Sequence, residues 1–304
     1  MINHGTDPHC DPNDLDWVNI DLTPLLFCNY HCPYCYNGFT REQPFYMDKS
    51  VMWDDHHADI LLHQFSEMKY KLMIQILGGE PLFWKPLNRF LEGLYKLDNV
   101  RVPRIYTNAY KKLDGIPLNP KLEVILDYHP MCTKNETLLY NAKYCRDHGI
   151  KFLIKIMMYQ TPEAKHNIEK FVKEVTDLGL RDKLRTAYIN NSQILMDPNY
   201  FDLGDIPSMV TYHINGKEID EKDLWKTNLS FTGQKCHLNY LAIRPAGEIC
   251  QACLGVNTHS NIFEDMDFGK NYRIPDVHCW VGYCGANCCT ELIKVDEEEG
   301  DENG

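Results

Sequence analysis

Three cysteines fall within eight positions of the segment FCNYHCPYCY, residues 27–36. They are Cys28, Cys32 and Cys35, at C-x3-C-x2-C spacing. Three thiolates from one loop can hold three corners of a tetrahedral or cubane metal site. A structural zinc site closes with a fourth protein ligand, often as two C-x2-C pairs, and this loop carries no second pair. Three thiolates without a fourth partner suit a [4Fe–4S] cluster with one iron left open to another ligand.

A second group of cysteines lies near the other end of the chain. Seven of the thirteen fall between residues 231 and 293: Cys236, Cys250, Cys253, Cys279, Cys284, Cys288 and Cys289. So short a segment has little core of its own and needs a staple such as a metal centre. Zinc held by the C-x2-C and C-x3-C pairs is the alternative to iron–sulfur, because soft thiolates suit both. Cys10, Cys132 and Cys145 read as unligated, Cys145 as a small core residue on a helix. The thirteen histidines form no HExxH pattern, and DDHH (54–57) reads as a solvated helix start.

The elements that must position these residues alternate. The runs at 16–23, 71–77, 100–107, 121–129, 150–158 and 184–190 read as strands. Between them, 54–68, 86–97, 135–149 and 162–179 carry apolar residues at three- and four-residue steps and read as helices. Such alternation implies parallel βαβ units. The first strand ends just before the cysteine trio, at the strand end where active sites of parallel α/β folds gather. A closed eight-unit barrel takes roughly 250 residues, and residues 16–190 suit about six such units. The expected fold is therefore α/β, a partial (β/α)6 TIM-type barrel with a small C-terminal cysteine-rich domain. An open doubly wound sheet is the alternative.

The expected domains are an N-terminal extension (1–15), the partial barrel (16–195), a linker (196–230), the cysteine-rich domain (231–294) and an acidic disordered tail (295–304). A hairpin is expected at INGKEI (214–219).

Of 304 residues, 44% are hydrophobic, and 31 Lys+Arg stand against 43 Asp+Glu for a net charge of −12. That balance disfavours nonspecific binding to a phosphate backbone. No signal-peptide pattern and no run near 18 apolar residues is present. The expected location is cytoplasmic, without a membrane partner, where many cysteines point to metal ligation or catalysis rather than disulfides.

The C-x3-C-x2-C loop, with the aromatic Tyr34 before its last cysteine, resembles the signature of the radical S-adenosylmethionine (SAM) superfamily. A second motif sits where that family places it: Gly78, Gly79, Glu80 and Pro81 at the end of the second strand. In the family this Gly-Gly-Glu element binds the amino group of the methionine moiety of SAM. Glycine permits close backbone approach, and a carboxylate can receive an ammonium in charge-assisted hydrogen bonds. IYTNAY (105–110) resembles the family's Thr-Asn-Gly strand end with Ala109 in place of Gly. Asp127, in LDYH, stands at the fourth strand end, where the family presents polar residues to SAM or substrate. Asn108 and Asp127 read equally well as turn or cap residues. No glycine-containing fifth-strand element is found, and KIMMYQ (155–160) lies there instead.

KCHLNYLAIRPAGEICQAC and CGANC are similar to parts of the SPASM and twitch extensions of the same superfamily. The full two-cluster pattern is not present. The resemblance thus implies one auxiliary [4Fe–4S] cluster, with Cys236, Cys250 or Cys253, Cys284 and Cys288 as ligands and Cys279 as competitor.

The resemblance implies that the open iron chelates SAM and that reductive cleavage gives methionine and a 5′-deoxyadenosyl radical. That radical would abstract hydrogen from an unactivated C–H bond, ending in dehydrogenation, crosslinking or rearrangement. The expected substrate is a peptide side chain or small molecule, with a nucleoside or nucleic-acid base as the alternative. A low-potential electron donor such as flavodoxin or ferredoxin is the expected partner. Tyr34 is expected to shield the cluster and flank SAM, while no catalytic side chain is assigned. A non-catalytic iron–sulfur or zinc scaffold is the competing class.

Overall fold

The computed structural model describes residues 2–3, 16–35, 52–188, 200–201, 203–209, 211–214, 217–220, 235–237, 239–250, 257–274, 276–278 and 292–293. Six parallel strands run in chain order through one sheet: β1 (Trp17–Leu22), β2 (Lys71–Ile76), β3 (Val100–Thr107), β4 (Glu123–Tyr128), β5 (Lys151–Met158) and β6 (Leu184–Tyr188). Strands in unbroken order have no switch point, so the sheet is not doubly wound. Among the described residues four α-helices join them: α1 (Asp55–Glu67), α2 (Leu87–Lys96), α3 (Asn135–Asp147) and α4 (Pro162–Asp177). No helix joins β3 to β4.

Local signals fix the helix ends. Asp54 caps α1, accepting from the His57 backbone N–H at 3.1 Å, and Thr161 caps α4 with Pro162 in its first turn. Gly149 and Gly179 follow α3 and α4 with φ of +66° and +69°, the left-handed residue that ends many helices.

The strands separate two kinds of side chain. Val18, Ile20, Leu22, Leu72, Ile74 and Ile76 belong to the main apolar core, together with Phe65, Phe90 and Phe171 of the helices. On the opposite face, Asp21, Gln75, Arg104 and Glu123 stand level with one another on four neighbouring strands. They form a continuous polar row. Gln75 Nε2 donates to Asp21 Oδ1 at 2.7 Å, Arg104 Nη1 to Gln75 Oε1 at 3.2 Å, and Arg104 Nε to Glu123 Oε2 at 2.6 Å. Arg104 is 1% exposed, and its buried guanidinium is balanced by that carboxylate.

The C-terminal part of the chain extends this sheet. β7 (Tyr240–Ile243) pairs parallel with β1, followed by antiparallel β8 (Glu248–Cys250) and β9 (Asn257–Asn261). Gly247 turns the β7–β8 hairpin at φ +88°, within the PAGE segment. Leu241, Ile243, Ile249, Ile262 and Phe268 join the main core. A second sheet gathers short strands at Ile2–Asn3, Thr211–Ile214, Lys217–Asp220, Lys235–His237, Asp276–His278 and Leu292–Ile293. Thr211–Ile214 and Lys217–Asp220 pair antiparallel, the arrangement expected of a hairpin at INGKEI. Among the described residues no helix is long and apolar enough to cross a membrane.

Candidate active site

The cysteine loop leaves β1 and is bonded directly to the end of β2. Gly79 N donates to Leu25 O at 3.0 Å and Glu80 N to Phe27 O at 2.9 Å, so the two strand ends continue side by side to the residue before Cys28. This approach requires glycine. A Cβ on Gly79 would lie 2.0 Å from Phe27 O, and one on Gly78, whose φ is +117°, would lie 2.4 Å from Leu25 O. Gly78 and Gly79 thus seat the loop as well as facing the cavity beside it.

That cavity, of about 150 Å³, is lined by Cys28, Cys32 and Cys35, by Gly78 and Gly79, and by side chains from the ends of β3, β4 and β5. Tyr34, Asn108 and Asp127 also border it. Among the described residues no three His, Cys, Asp or Glu side chains are grouped as they would be around a single metal ion.

Glu80 does not border the cavity. It is 1% exposed, and its Oε1 accepts from Leu82 N at 3.0 Å and Thr107 Oγ1 at 2.7 Å, while Oε2 accepts from Asn108 N at 2.8 Å. The carboxyl thereby ties the end of β2 to the end of β3. Burial pushes it up to about 7, against these hydrogen bonds, which favour its charged form. Pro81 opens a short 3-10 turn, Pro81–Phe83, behind it.

The next turn holds Cys28. Asn108 Nδ2 donates to Cys28 Sγ at 3.6 Å and to Asn29 Oδ1 at 3.0 Å, and Tyr30 N donates to the same sulfur at 3.4 Å. Ala109 follows with φ +54°, a left-handed conformation that suits the Gly of the resembling motif better than Ala. Burial holds the Cys28 thiol up at about 11, partly offset by the Tyr30 hydrogen bond.

The far wall is aromatic and charged. Tyr34 Oη lies 3.1 Å from His129 Nδ1, and the two rings stack with centroids 5.9 Å apart. Tyr159 packs on Tyr34 at 4.8 Å. Burial lowers His129 to about 3, so its imidazole is neutral at ordinary pH. Asp127 Oδ1 sits 2.9 Å from Lys155 Nζ, an ion pair misaligned for a hydrogen bond. Burial raises the Asp127 carboxyl and Lys155 opposes that shift. Lys155 also lies 4.6 Å from the Tyr106 ring centroid.

No role is assigned to His129, Lys155, Tyr159 or Cys132 from sequence. His129 and Lys155 share a face with Asp127 through strand alternation and cross-strand register, which is the signal that could have found them. Cys132, read as unligated, has its Sγ 3.8 Å from Cys32 Sγ. Its loop follows β4, and nothing local in the sequence brings the two cysteines together. Cys145 is buried in the core as expected.

Cys250 is buried at the end of β8, and Arg244 Nε lies 3.5 Å from its sulfur. Cys236 stands in the second sheet opposite Val277 and Leu292. Cys253, Cys279, Cys284 and Cys288 lie outside the described residues, as does Cys289.

No protein-family model matches the chain, and no curated protein matches it significantly. Solved structures do. Native anSMEcpe with bound AdoMet aligns at TM-score 0.51 and 13% identity, over 83% of this chain and 80% of its own. The same protein with bound AdoMet and Kp18Cys peptide aligns at 0.51 and 13%, over 84% and 80%. The chain shares their fold. Streptococcus suis SuiB aligns at 0.47 and 16% identity, over 84% of this chain and 66% of its own, too distant to argue from.

Proposed function

We propose that this chain is a radical SAM enzyme. The observation that carries the reading is one cavity faced by three cysteines of a β1-end loop and by the glycines that dock that loop onto β2. Likeness of fold to anSMEcpe, a radical SAM enzyme that binds AdoMet, supports it. We read the six in-order strands as a partial (β/α)6 barrel whose polar face is the interior.

The donor set fits the cofactor. Three soft thiols border a cavity with hydrogen-bond donors already aimed at one sulfur, the kind of contact that sets cluster potential. Cys28, Cys32 and Cys35 would hold a [4Fe–4S] cluster. When bound, the cluster and SAM supply reductive cleavage to methionine and a 5′-deoxyadenosyl radical that abstracts hydrogen from substrate.

The chain's own residues bind, orient and exclude. Gly78 and Gly79 line the cavity without side chains that would fill it, and Glu80 with Pro81 fixes that turn. Asn108 steadies Cys28 while facing the same cavity. Asp127 and Lys155 present opposite charges to a ligand that carries both an ammonium and a carboxylate. Tyr34, backed by His129 and Tyr159, closes the wall against water.

A peptide side chain or small molecule is the substrate class. anSMEcpe has been solved with a bound peptide, which favours the peptide. The C-terminal segment would hold one auxiliary [4Fe–4S] cluster, drawing on Cys236, Cys250, Cys253, Cys279, Cys284 and Cys288. Flavodoxin- or ferredoxin-type donors would supply the electron, in the cytoplasm.

Anaerobic reconstitution with iron and sulfide, followed by dithionite and SAM, tests the reading. Formation of 5′-deoxyadenosine is the expected result, and its absence from a fully loaded protein would refute it. Cys32→Ala should abolish SAM cleavage while the C-terminal metal stays.

A further inference from the structure

A second, larger cavity of about 510 Å³ opens beside the site, between the turn after β2 and the loop after β3. Lys85, Lys111 and Lys112 line it, all exposed, and no Asp or Glu is among its lining residues. Asp114, next along the loop, has its carboxylate engaged by Tyr140 Oη at 3.1 and 3.2 Å. On a chain of net charge −12, a concavity lined by three cations and no anions is a local reversal of sign. Its floor is aromatic. Phe83 and Tyr110 stack with centroids 4.5 Å apart and planes 16° apart.

This floor touches the cluster loop. Phe83 meets Phe27 edge-on at 4.8 Å, and Phe27 is the residue before Cys28. Lys111 Nζ donates to Leu82 O at 2.8 Å, which pins the loop after β3 to the turn that carries Phe83. Two rings therefore separate the basic surface from the first cysteine ligand, while the SAM-side cavity opens elsewhere.

We infer that this basic, aromatic-floored pocket is the docking surface for an acidic one-electron donor protein. The inference rests on the radical SAM reading and assigns its reductant a place. The lysines steer and orient an acidic partner, and the half-buried rings of Phe83 and Tyr110 supply the apolar centre that protein interfaces use. One electron would pass from the donor's reduced cofactor to the cluster that Cys28, Cys32 and Cys35 would hold. No bond or proton changes hands.

The test uses the reconstituted full chain, the Lys85→Glu/Lys112→Glu variant, and reduced flavodoxin as the acidic donor. Binding is read by calorimetry with oxidised flavodoxin at two salt concentrations, and SAM cleavage is read with flavodoxin and separately with dithionite. The expected result is at least a tenfold weaker Kd in the variant, with loss of its salt dependence. Cleavage should fall at least tenfold with flavodoxin and stay unchanged with dithionite. An unchanged Kd would overturn the docking surface, as would an equal loss with both reductants. Binding of inorganic phosphate at the lysines with flavodoxin affinity unaltered would make this an anion site and overturn it too. Failure of dithionite to drive cleavage in the wild type would instead count against the radical SAM reading, with flavodoxin binding still measurable by itself.

Discussion

At the scale of single residues, Glu80 is the most consequential side chain outside the cysteines. Its ordinary value is 4.5 and burial raises it to about 7 in the fold. Between those values the folded chain keeps a proton that the unfolded chain has lost. Its contribution to stability is therefore full below about 4.5 and is lost as pH rises through about 7. Glu80→Gln removes this dependence and sets an amide N–H against a backbone N–H, at a cost of about 1–3 kcal/mol. Urea unfolding at about pH 5 and about pH 8 should show the gap between wild type and variant narrowing as pH rises. A constant gap would contradict the assignment. Ala109 offers a second check. Ala109→Gly relieves about 1–2 kcal/mol of left-handed strain and gives back about 0.4–1 kcal/mol in unfolded-chain entropy. Stability should be unchanged or slightly raised, and a clear loss in a thermal melt would show that the Cβ matters for packing. The pairing of Ala109 with a glycine position was legible in the sequence. The brace made by Glu80 was not, because it depends on where β3 ends in space.

At the scale of elements, the junction of β1 and β2 is the feature on which the site depends. Gly79→Ala must displace the Phe27 carbonyl, at about 1–3 kcal/mol, and should cost iron at the cysteine loop as well as stability. Gly115→Ala, with nothing within 4 Å of the added carbon, is the control and should match wild type in both. Iron and sulfide counts after reconstitution, beside a melt, distinguish the two. The polar row across the sheet makes a separate prediction. Arg104→Leu strands the buried Glu123 carboxylate and should cost about 3–5 kcal/mol, whereas Arg104→Leu/Glu123→Leu should cost less than the single change. Strand and helix positions were legible because the hydrophobic period switches cleanly between two and 3.6 along residues 16–188. The row itself was hidden. Its members read locally as interruptions in apolar strands, and only parallel register sets them level.

At the scale of the whole molecule, residues far apart in the chain close one structure. β7 pairs with β1, Trp53 Nε1 donates to Pro245 O at 2.8 Å, and Gln64 bonds both Asp265 O and Gly269 N. Residues 240–250 and 257–274 therefore belong energetically with the six-stranded sheet, although the sequence reading set them in a separate cysteine-rich segment. Truncation after residue 230 should expose the β1 edge and leave an aggregating protein. A truncated chain that stays soluble and melts like the full one would show the opposite. No local pattern could have announced β7 as a parallel neighbour of β1, since its partner lies more than two hundred residues earlier. Density of cysteine signalled a metal, not a seam.

The contact between Cys32 and Cys132 has a consequence for how the protein is made. Their sulfurs are 3.8 Å apart, about 1.8 Å beyond bonding distance. A chain that meets dioxygen before iron can surrender two electrons and two protons and close that gap. The crosslink would withhold one cluster ligand until a thiol reductant restores it. Protein purified in air should therefore yield a Cys32–Cys132 crosslinked peptide in a non-reduced digest, and Cys132→Ser protein should accept iron without prior reduction.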